Sequence, residues 1–345
     1  MAAPKLDARR LDKLVRSFSE VRLLVVGDVM LDEYLWGDVD RVSPEAPVPV
    51  VHVTRESVAL GGAGNVVRNI VAMGAECLCC GVVGDDEAAD TIVDLFKELG
   101  VDASGLVRVE GRDTTRKTRI EARSQQMLRF DRETDEEISR ATAARLLRAI
   151  DEAIPRTHAA ILEDYGKGVM QPIARRAMKR FAAAGLEVSV DPKDEVAAYR
   201  GAALFKPNLR EVEQLTGRRI RDDDDLLKAV AKIQRTLGGS DVVVTRGELG
   251  MTVFQAGKPP LDVPIARHEV FDVQGAGDTA IAALALARRA GAKWIEAAAI
   301  SNAAAGVVVG KVGTQTASPD EIRQRLPEAV SAVRDLARDA GRGRA

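Results

Sequence analysis

Asp278 follows directly on Gly275-Ala276-Gly277, and this juxtaposition says more about chemistry than any other stretch of the chain. A turn of small residues opening a helix aims backbone N–H groups, and the positive end of the helix dipole, at one point. That point suits a phosphate, because small residues let the anion approach the backbone closely. A carboxylate in the same place would repel the phosphate. It could instead take a proton from a hydroxyl that attacks the phosphorus. An anion cradle beside a base is an arrangement for phosphoryl transfer. Taken alone, the same aspartate could simply favour a helix dipole.

Other glycine patterns compete with this reading. Gly275, Gly277 and Ala280 also satisfy a dinucleotide-binding fingerprint, with Glu296 about 20 residues further on. Glu296 falls inside a helical pattern of small residues at 294–309 rather than at a strand end, and Asp278 would repel a pyrophosphate. The run from Gly306 to Lys311 resembles a phosphate loop but is one residue short, and Val312 stands where Ser or Thr is required. An apolar segment near the core is the better reading there. Gly61-Gly62-Ala63-Gly64-Asn65 opens a helix and is, by itself, as easily turn chemistry as a site.

A framework must carry these residues. Short apolar or β-branched runs at 22–27, 76–83, 159–162, 187–190, 203–205 and 241–245 alternate with helical patterns at 65–73, 87–99, 139–153, 172–184 and 222–237. Continuous apolar strands separated by helices predict a mostly parallel sheet covered on both faces. Residues 33–56 and 112–131 break the rhythm, with alternation at 48–53 and 114–123 and no helix between. Amphipathic strands of this kind predict a small sheet exposed on one face, a lid over one edge of the main domain. Residues 6–21 read as a charged amphipathic helix within an N-terminal segment 1–21, ahead of a domain over 22–330. Residues 331–345 read as a helix end and tail, disordered from 339 onward.

Composition narrows the class. A chain of 345 residues can hold one large α/β domain or two smaller ones, and no linker or repeat divides it. Fifty basic against 52 acidic residues give a formal charge of -2, which argues against a general nucleic-acid binder. No apolar run approaches the roughly 20 residues of a membrane span, and no signal-peptide core is present. Cys77, Cys79 and Cys80 crowd one strand, and the three histidines are far apart. Reduced, buried thiols in a cytoplasmic protein are expected, and a zinc site is not.

Several segments acquire meaning in combination: Asp32 after the first strand, Gly61 to Asn65, Asn208-Leu209-Arg210-Glu211, Thr245-Arg246-Gly247-Glu248-Leu249-Gly250, and Asp272 ahead of Gly275-Ala276-Gly277-Asp278. In this order, over about 22–326, the chain resembles the ribokinase-like (PfkB) sugar kinases, and the last motif is highly specific to that family. Val26-Gly27-Asp28-Val29-Met30-Leu31-Asp32 and the stretches 41–51 and 302–314 narrow the resemblance to kinases of D-glycero-β-D-manno-heptose 7-phosphate. Those enzymes phosphorylate C1 on the route to the ADP-heptose of the lipopolysaccharide inner core. The resemblance implies a Rossmann-like α/β/α ribokinase fold with a small β-sheet lid, often shared between two subunits, and hence a homodimer. It implies ATP and Mg²⁺, a potassium ion, and a sugar phosphate as ligands.

The resemblance also implies roles for single residues. Asp278 matches the catalytic base, and the N–H groups of Gly275, Ala276 and Gly277 match an anion hole for the γ-phosphoryl oxygens. Asn208 and Glu211 match an element that organises Mg²⁺ and the nucleotide phosphates, in part through water. A helix N-cap with a capping box is the plainer role for that pair, and both can hold at once. Thr245, Gly247 and Gly250 match the nucleotide loop, with Asn302 near the adenine. Lys193 is a candidate phosphate contact whose alternative is a solvated surface lysine. Asp32 would accept hydrogen bonds from sugar hydroxyls, while Gly61, Gly62 and Asn65 let the ring approach the backbone.

For the second phosphate of the substrate, strand alternation puts Lys117, Arg119 and Arg123 on one face with Glu121 between them. Each could equally belong to a solvated charged face, and Arg129 is a further candidate. Gln274 stands where the family usually carries threonine, which unsettles the monovalent-cation loop near Asp272 but leaves turn and base intact. Related bifunctional enzymes add a nucleotidyltransferase domain with a His-x-Gly-His motif; no histidine follows His268, so the kinase alone is expected. The rival expectations are a kinase of the same fold acting on fructose, ribose or a nucleoside, and a non-catalytic regulator that binds sugar or nucleotide.

Overall fold

The computed structural model describes residues 6–122, 125–266 and 271–342. Helix α1 (Ala8–Arg16) precedes strand β1 (Arg22–Gly27), after which the chain runs straight into two long strands, β2 (Val29–Val42) and β3 (Pro49–Gly62). It returns through α2 (Ala63–Ala72), β4 (Glu76–Gly84), α3 (Glu87–Glu98) and β5 (Leu106–Val109), then departs again in β6 (Arg116–Ala122) and β7 (Gln125–Arg132). Next come α4 (Arg140–Ala153), β8 (Ala159–Glu163), α5 (Ala174–Ala183), β9 (Val188–Asp191) and β10 (Leu204–Phe205). The chain continues with α6 (Leu209–Thr216), α7 (Asp223–Leu237), β11 (Asp241–Thr245), β12 (Met251–Phe254) and β13 (Leu261–Val263). Three helices close it: α8 (Ala276–Arg289), α9 (Trp294–Val309) and α10 (Pro319–Arg342).

Nine strands form the main sheet, in the order β13-β12-β11-β10-β9-β8-β1-β4-β5. Only the β11–β12 and β12–β13 pairs are antiparallel. Side chains alternate between two cores, as a sheet covered on both faces requires. Leu23 and Val25 join the core under α1, α2, α3, α8, α9 and α10, whereas Leu24 and Val26 join that under α4 to α7. Each such fully buried side chain contributes roughly 1.5–3 kcal/mol. The expected α/β/α arrangement is what the chain adopts.

The decoys dissolve into this frame. Gly306 lies in α9, buried along its whole length. Glu296 receives the N–H of Lys293 at the start of α9 and pairs with Arg10 at 2.5 Å, so it is not placed to meet a ribose. Cys77, Cys79 and Cys80 are buried and unpaired on β4, where burial pushes their thiols up and away from reactivity.

Four strands in the order β3-β2-β6-β7 make the lid. Its central pair, β2 and β6, is parallel, and its two edge pairings are antiparallel. The strands reach further into the main domain than the alternation at 33–56 suggested, because Val29 already pairs with Gly62. One further expectation needs correction. Helix α10 runs on to Arg342, past residue 339 where disorder was expected, with Ala340 and Arg342 favouring helix against the cost of Gly341. Residues 343–345 lie outside the described residues.

Candidate active site

The C-terminal ends of parallel strands β8, β9 and β10 and the start of α8 converge beneath the lid. Gly275 caps α8 in the left-handed region with φ 72°, and a Cβ there would stand 2.8 Å from Asn65 Nδ2. Only glycine fits that approach. The N–H of Ala276 closes the turn onto Val273 at 3.3 Å, and Gly277 follows. Asp278, in the first turn, is 6% exposed.

Both oxygens of Asp278 accept hydrogen bonds: Asn65 Nδ2 donates to Oδ2 at 2.6 Å and the Tyr165 hydroxyl to Oδ1 at 2.7 Å. Asn65 thus reaches Asp278, besides opening the α2 turn expected to meet the sugar. One helical turn on, Asn69 accepts from the Thr279 hydroxyl at 2.8 Å, so α2 and α8 are joined at two levels. Burial pushes Asp278 above the ordinary carboxylate range, while the donors Asn65 and Tyr165 and the charge of Lys206 pull it back. Burial, then the charge of Asp278, holds the Tyr165 phenol well above its usual value, so it remains a donor.

Four residues that the sequence did not single out complete this floor. Lys206, 3% exposed at the end of β10, pairs with Asp191 at 2.7 Å and lies beneath Gly277. Burial opposes its charge, but Asp191, Glu211 and Glu163 outweigh burial and keep its pKa raised. Among the described residues, Glu163, Asp191 and Asp278 bring one carboxylate oxygen each within 4.8 Å of one another. Glu163 Oε2 is buried without a hydrogen-bond partner. Burial and then the neighbouring carboxylates raise Glu163 well above its usual value; burial raises Asp191 to about 7, with Lys206 opposing it.

Behind them, Asp28 Oδ2 accepts the N–H groups of Tyr165 at 2.7 Å and Lys167 at 3.3 Å, which fixes the loop that presents Tyr165. A signal for this group did exist. Glu163, Tyr165, Asp191 and Lys206 each follow an apolar run, at the strand ends where open α/β sheets build their sites.

On the lid, Asp32 points inward and pairs with Arg119 at 2.7 Å, both nearly buried. A Cβ on Gly61 would stand 2.6 Å from Asp32 Oδ2, so the glycine is needed for strand β3 to pass this carboxylate. Gly62 ends β3 and caps α2. Lys117 shares the inward face but meets Asp131 at 3.2 Å and Glu133 at 3.5 Å, while Arg129 meets Asp131 at 3.0 Å. Lys117, Arg119 and Arg129 therefore each face a carboxylate already. Arg123 lies outside the described residues.

Among the residues expected on the nucleotide side, Asn208 and Glu211 form a full capping box, with Asn208 Oδ1 taking the N–H of Glu211 at 3.0 Å and Glu211 Oε2 that of Asn208 at 2.7 Å. Thr245 ends β11 beside Asn208, and Gly247 and Gly250 turn the chain into β12 with positive φ. Asn302 Nδ2 donates to the carbonyl of Val263 at 2.8 Å and borders a small cavity with Ile265, Ala266 and Gly306. Lys193 is half-buried beside Gly166. Asp272 accepts the N–H groups of Gln274 at 2.9 Å and Gly313 at 3.2 Å. No helix among the described residues is long and apolar enough to cross a membrane.

Residues 21–321 match the model of the pfkB family carbohydrate kinases. The chain is 44% identical over 316 residues to Bifunctional protein HldE of Desulfatibacillum aliphaticivorans, covering 91% of this chain and 65% of that protein. It is 41% identical over 319 residues to Bifunctional protein HldE of Geobacter sulfurreducens, covering 92% and 65%. The chain thus spans 65% of the length of these curated relatives. Among solved structures it superposes on Escherichia coli phosphofructokinase-2 in complex with potassium, with a TM-score of 0.74 at 22% identity, over 90% of this chain and 99% of that one. It also superposes on Arabidopsis thaliana ribokinase complexed with ribose and ATP, with a TM-score of 0.67 at 20% identity, over 90% and 98%.

Proposed function

Because the chain belongs to the pfkB family of carbohydrate kinases, we propose that it transfers the γ-phosphoryl group of ATP to the C1 hydroxyl of D-glycero-β-D-manno-heptose 7-phosphate. The observation that carries the chemistry is the buried Asp278, held by Asn65 and Tyr165 at the start of α8 and roofed by the lid that bears Asp32. The choice of heptose phosphate rests on the motifs at 26–32, 41–51 and 302–314 and on the similarity to HldE proteins over nine-tenths of the chain.

In this reading Asp278 takes the hydroxyl proton as the sugar oxygen bonds to the γ-phosphorus and the bond to ADP breaks. Two donors on the carboxylate oppose the effect of burial and favour its ionised form. The Gly275–Gly277 turn and the Lys206 ammonium meet the charge that spreads over the transferring oxygens. Asp32 accepts sugar hydroxyls, and the seated lid excludes water.

A divalent cation fits this floor, since hard carboxylate oxygens gather there and one of them lacks a donor. Glu163 and Asp191 would hold Mg²⁺ with Asn208 and Glu211 behind them, and the ion would neutralise the nucleotide phosphates. Asp272 marks the loop where a potassium ion would sit. Thr245, Gly247, Gly250 and Asn302 would border the nucleotide, and Lys193 its phosphates. Lys117, Arg119 and Arg129 are the described cations available to the 7-phosphate, on exchange of their present carboxylate partners.

The outward face of the lid supports a homodimer. Val58, Glu33, Thr118 and Phe130 form one row across its four strands, with Leu35, Ile120 and Leu128 in the next. Phe130, Leu128 and Val58 are exposed there, which suits burial against a second copy.

Steady-state kinetics with heptose 7-phosphate, fructose, fructose 6-phosphate, ribose and a nucleoside test the assignment. The heptose phosphate should give the highest kcat/KM. A preference for an unphosphorylated sugar would refute it, and the absence of ADP release with every acceptor would favour a binding protein instead.

A further inference from the structure

Gln274 lies in the cradle turn, directly before Gly275, and the transfer chemistry gives it no task. The structure gives it a partner. Tyr34, on the inward face of lid strand β2 and 5% exposed, donates its hydroxyl to Gln274 Oε1 at 3.2 Å and lies 2.7 Å from Thr314 Oγ1. Gln274 Oε1 can only accept, so the Tyr34 hydroxyl is the donor in that bond, while either hydroxyl can donate in the contact between Tyr34 and Thr314. Burial raises the phenol above its usual pKa, which keeps it a donor.

Each end of this chain reaches working parts. Thr314 Cγ2 stands 3.2 Å from where a Cβ on Gly275 would lie, and the Thr314 carbonyl accepts from Arg68 of α2 at 2.7 Å. The backbone N–H of Gln274 is tied to Asp272. On the lid side, the Arg119 guanidinium lies 5.3 Å from the centroid of the Tyr34 ring and is bonded to Asp32. Trp36 stacks on the same ring at 5.8 Å. Contacts therefore run without a gap from the proposed sugar-binding carboxylate, through Arg119 and Tyr34, to the two residues that flank Gly275.

We infer that Tyr34 and Gln274 are positioning residues forming a latch, which fixes the anion-hole turn only while the lid is seated and so couples phosphoryl transfer to the presence of sugar. The inference rests on the reading of this site as a carbohydrate kinase. Without the latch, the cradle and the lid would no longer set together. Water could then reach the bound nucleotide: its oxygen would bond to the γ-phosphorus as the bond to ADP breaks, releasing ADP, phosphate and a proton.

The test uses the full chain, with whichever carbohydrate the wild type phosphorylates fastest, and measures ADP and phosphorylated sugar in the same reactions. Tyr34→Phe keeps the ring and its contacts with Arg119 and Trp36 and removes only the hydroxyl. It should lower kcat about tenfold, leave KM for ATP within about twofold, and raise the ratio of ADP to sugar product to about two or more. Gln274→Leu should reproduce both effects, and the double variant should be no worse than either single one. A kcat and a product ratio that stay at wild-type values in Tyr34→Phe would overturn the latch. So would losses that multiply in the double variant. If Tyr34→Phe does not fold, the half-buried Gln274→Leu decides by the same two readouts. Failure of heptose 7-phosphate as the preferred acceptor would sink the substrate assignment alone, because the coupling ratio is read with any sugar that is turned over.

Discussion

In the cradle, Asp278 is buried with both oxygens engaged; in the lid, Leu128 and Phe130 are 54% and 49% exposed on the outward face. The cradle stands on helices α8 and α9, whose alanines pack against the main sheet, so its geometry is set by the core. The lid is a single layer of four strands whose inward face holds Lys117, Arg119 and Arg129 in carboxylate pairs. A carboxylate held in this way suits the base proposed for the chemical step, which gains from not reorganising. Exchangeable ion pairs and an exposed apolar face suit the lid proposed to admit a sugar and to meet a second copy.

The contrast can be broken most sharply at Asp278. Asp278→Asn preserves shape and both neighbours, and should lower kcat by about 10³-fold or more while ATP affinity stays within about twofold. Turnover retained within tenfold in a rapid-quench assay would mean that the base lies elsewhere. Next in size is the lid's outer face. Replacing Leu128 and Phe130 together by aspartate should weaken dimerisation by about a hundredfold, read by analytical ultracentrifugation across a dilution series. An unchanged association would place the interface elsewhere.

A smaller effect is expected where lid meets sugar. Gly61→Ala introduces a methyl 2.6 Å from Asp32 Oδ2 and should raise the sugar KM about 10- to 100-fold with little change in KM for ATP. Equal effects on both substrates would show that lid and cradle are not separable.

The smallest effect concerns the junction at Asp28, which burial, and then the charge of Asp164, raise from 3.8 to about 6. Between those values the folded chain keeps a proton that the unfolded chain has lost, so stability falls as pH rises through that window. The slope is at most about 1.4 kcal/mol per pH unit. Urea unfolding at pH 4, 5 and 6 should show the wild type losing stability relative to Asp28→Asn by up to this slope as pH rises. Identical slopes would mean that the carboxyl ionises as easily folded as unfolded.

Much of this was legible in the residues. The alternation of apolar runs with helical patterns foretold the parallel sheet, because a strand buried on both faces has to be apolar throughout. The period-two stretches foretold the lid, though not its depth, since the pairing of Val29 with Gly62 lies in segments too apolar to show alternation. Asn208 and Glu211 could be read as a capping box, and the structure has that box; their part in holding a metal is a separate proposal. Tyr165 and Lys206 went unremarked, because a tyrosine or lysine after a strand looks like any other polar loop residue.

What the sequence determined by itself is local. The left-handed turn at Gly275, the helix that follows and the carboxylate in its first turn are written within four consecutive residues, and backbone sterics and the helix dipole act over that range. What only the tertiary structure decided is which groups meet Asp278 and Asp32. Asn65 lies 213 residues from Asp278, Tyr165 lies 113 from it, and Arg119 lies 87 from Asp32. Strand order and register bring these pairs together, and neither leaves a periodicity in the chain. Burial then gives each pairing its strength, because a charge removed from water is stable only beside the partner that the fold supplies.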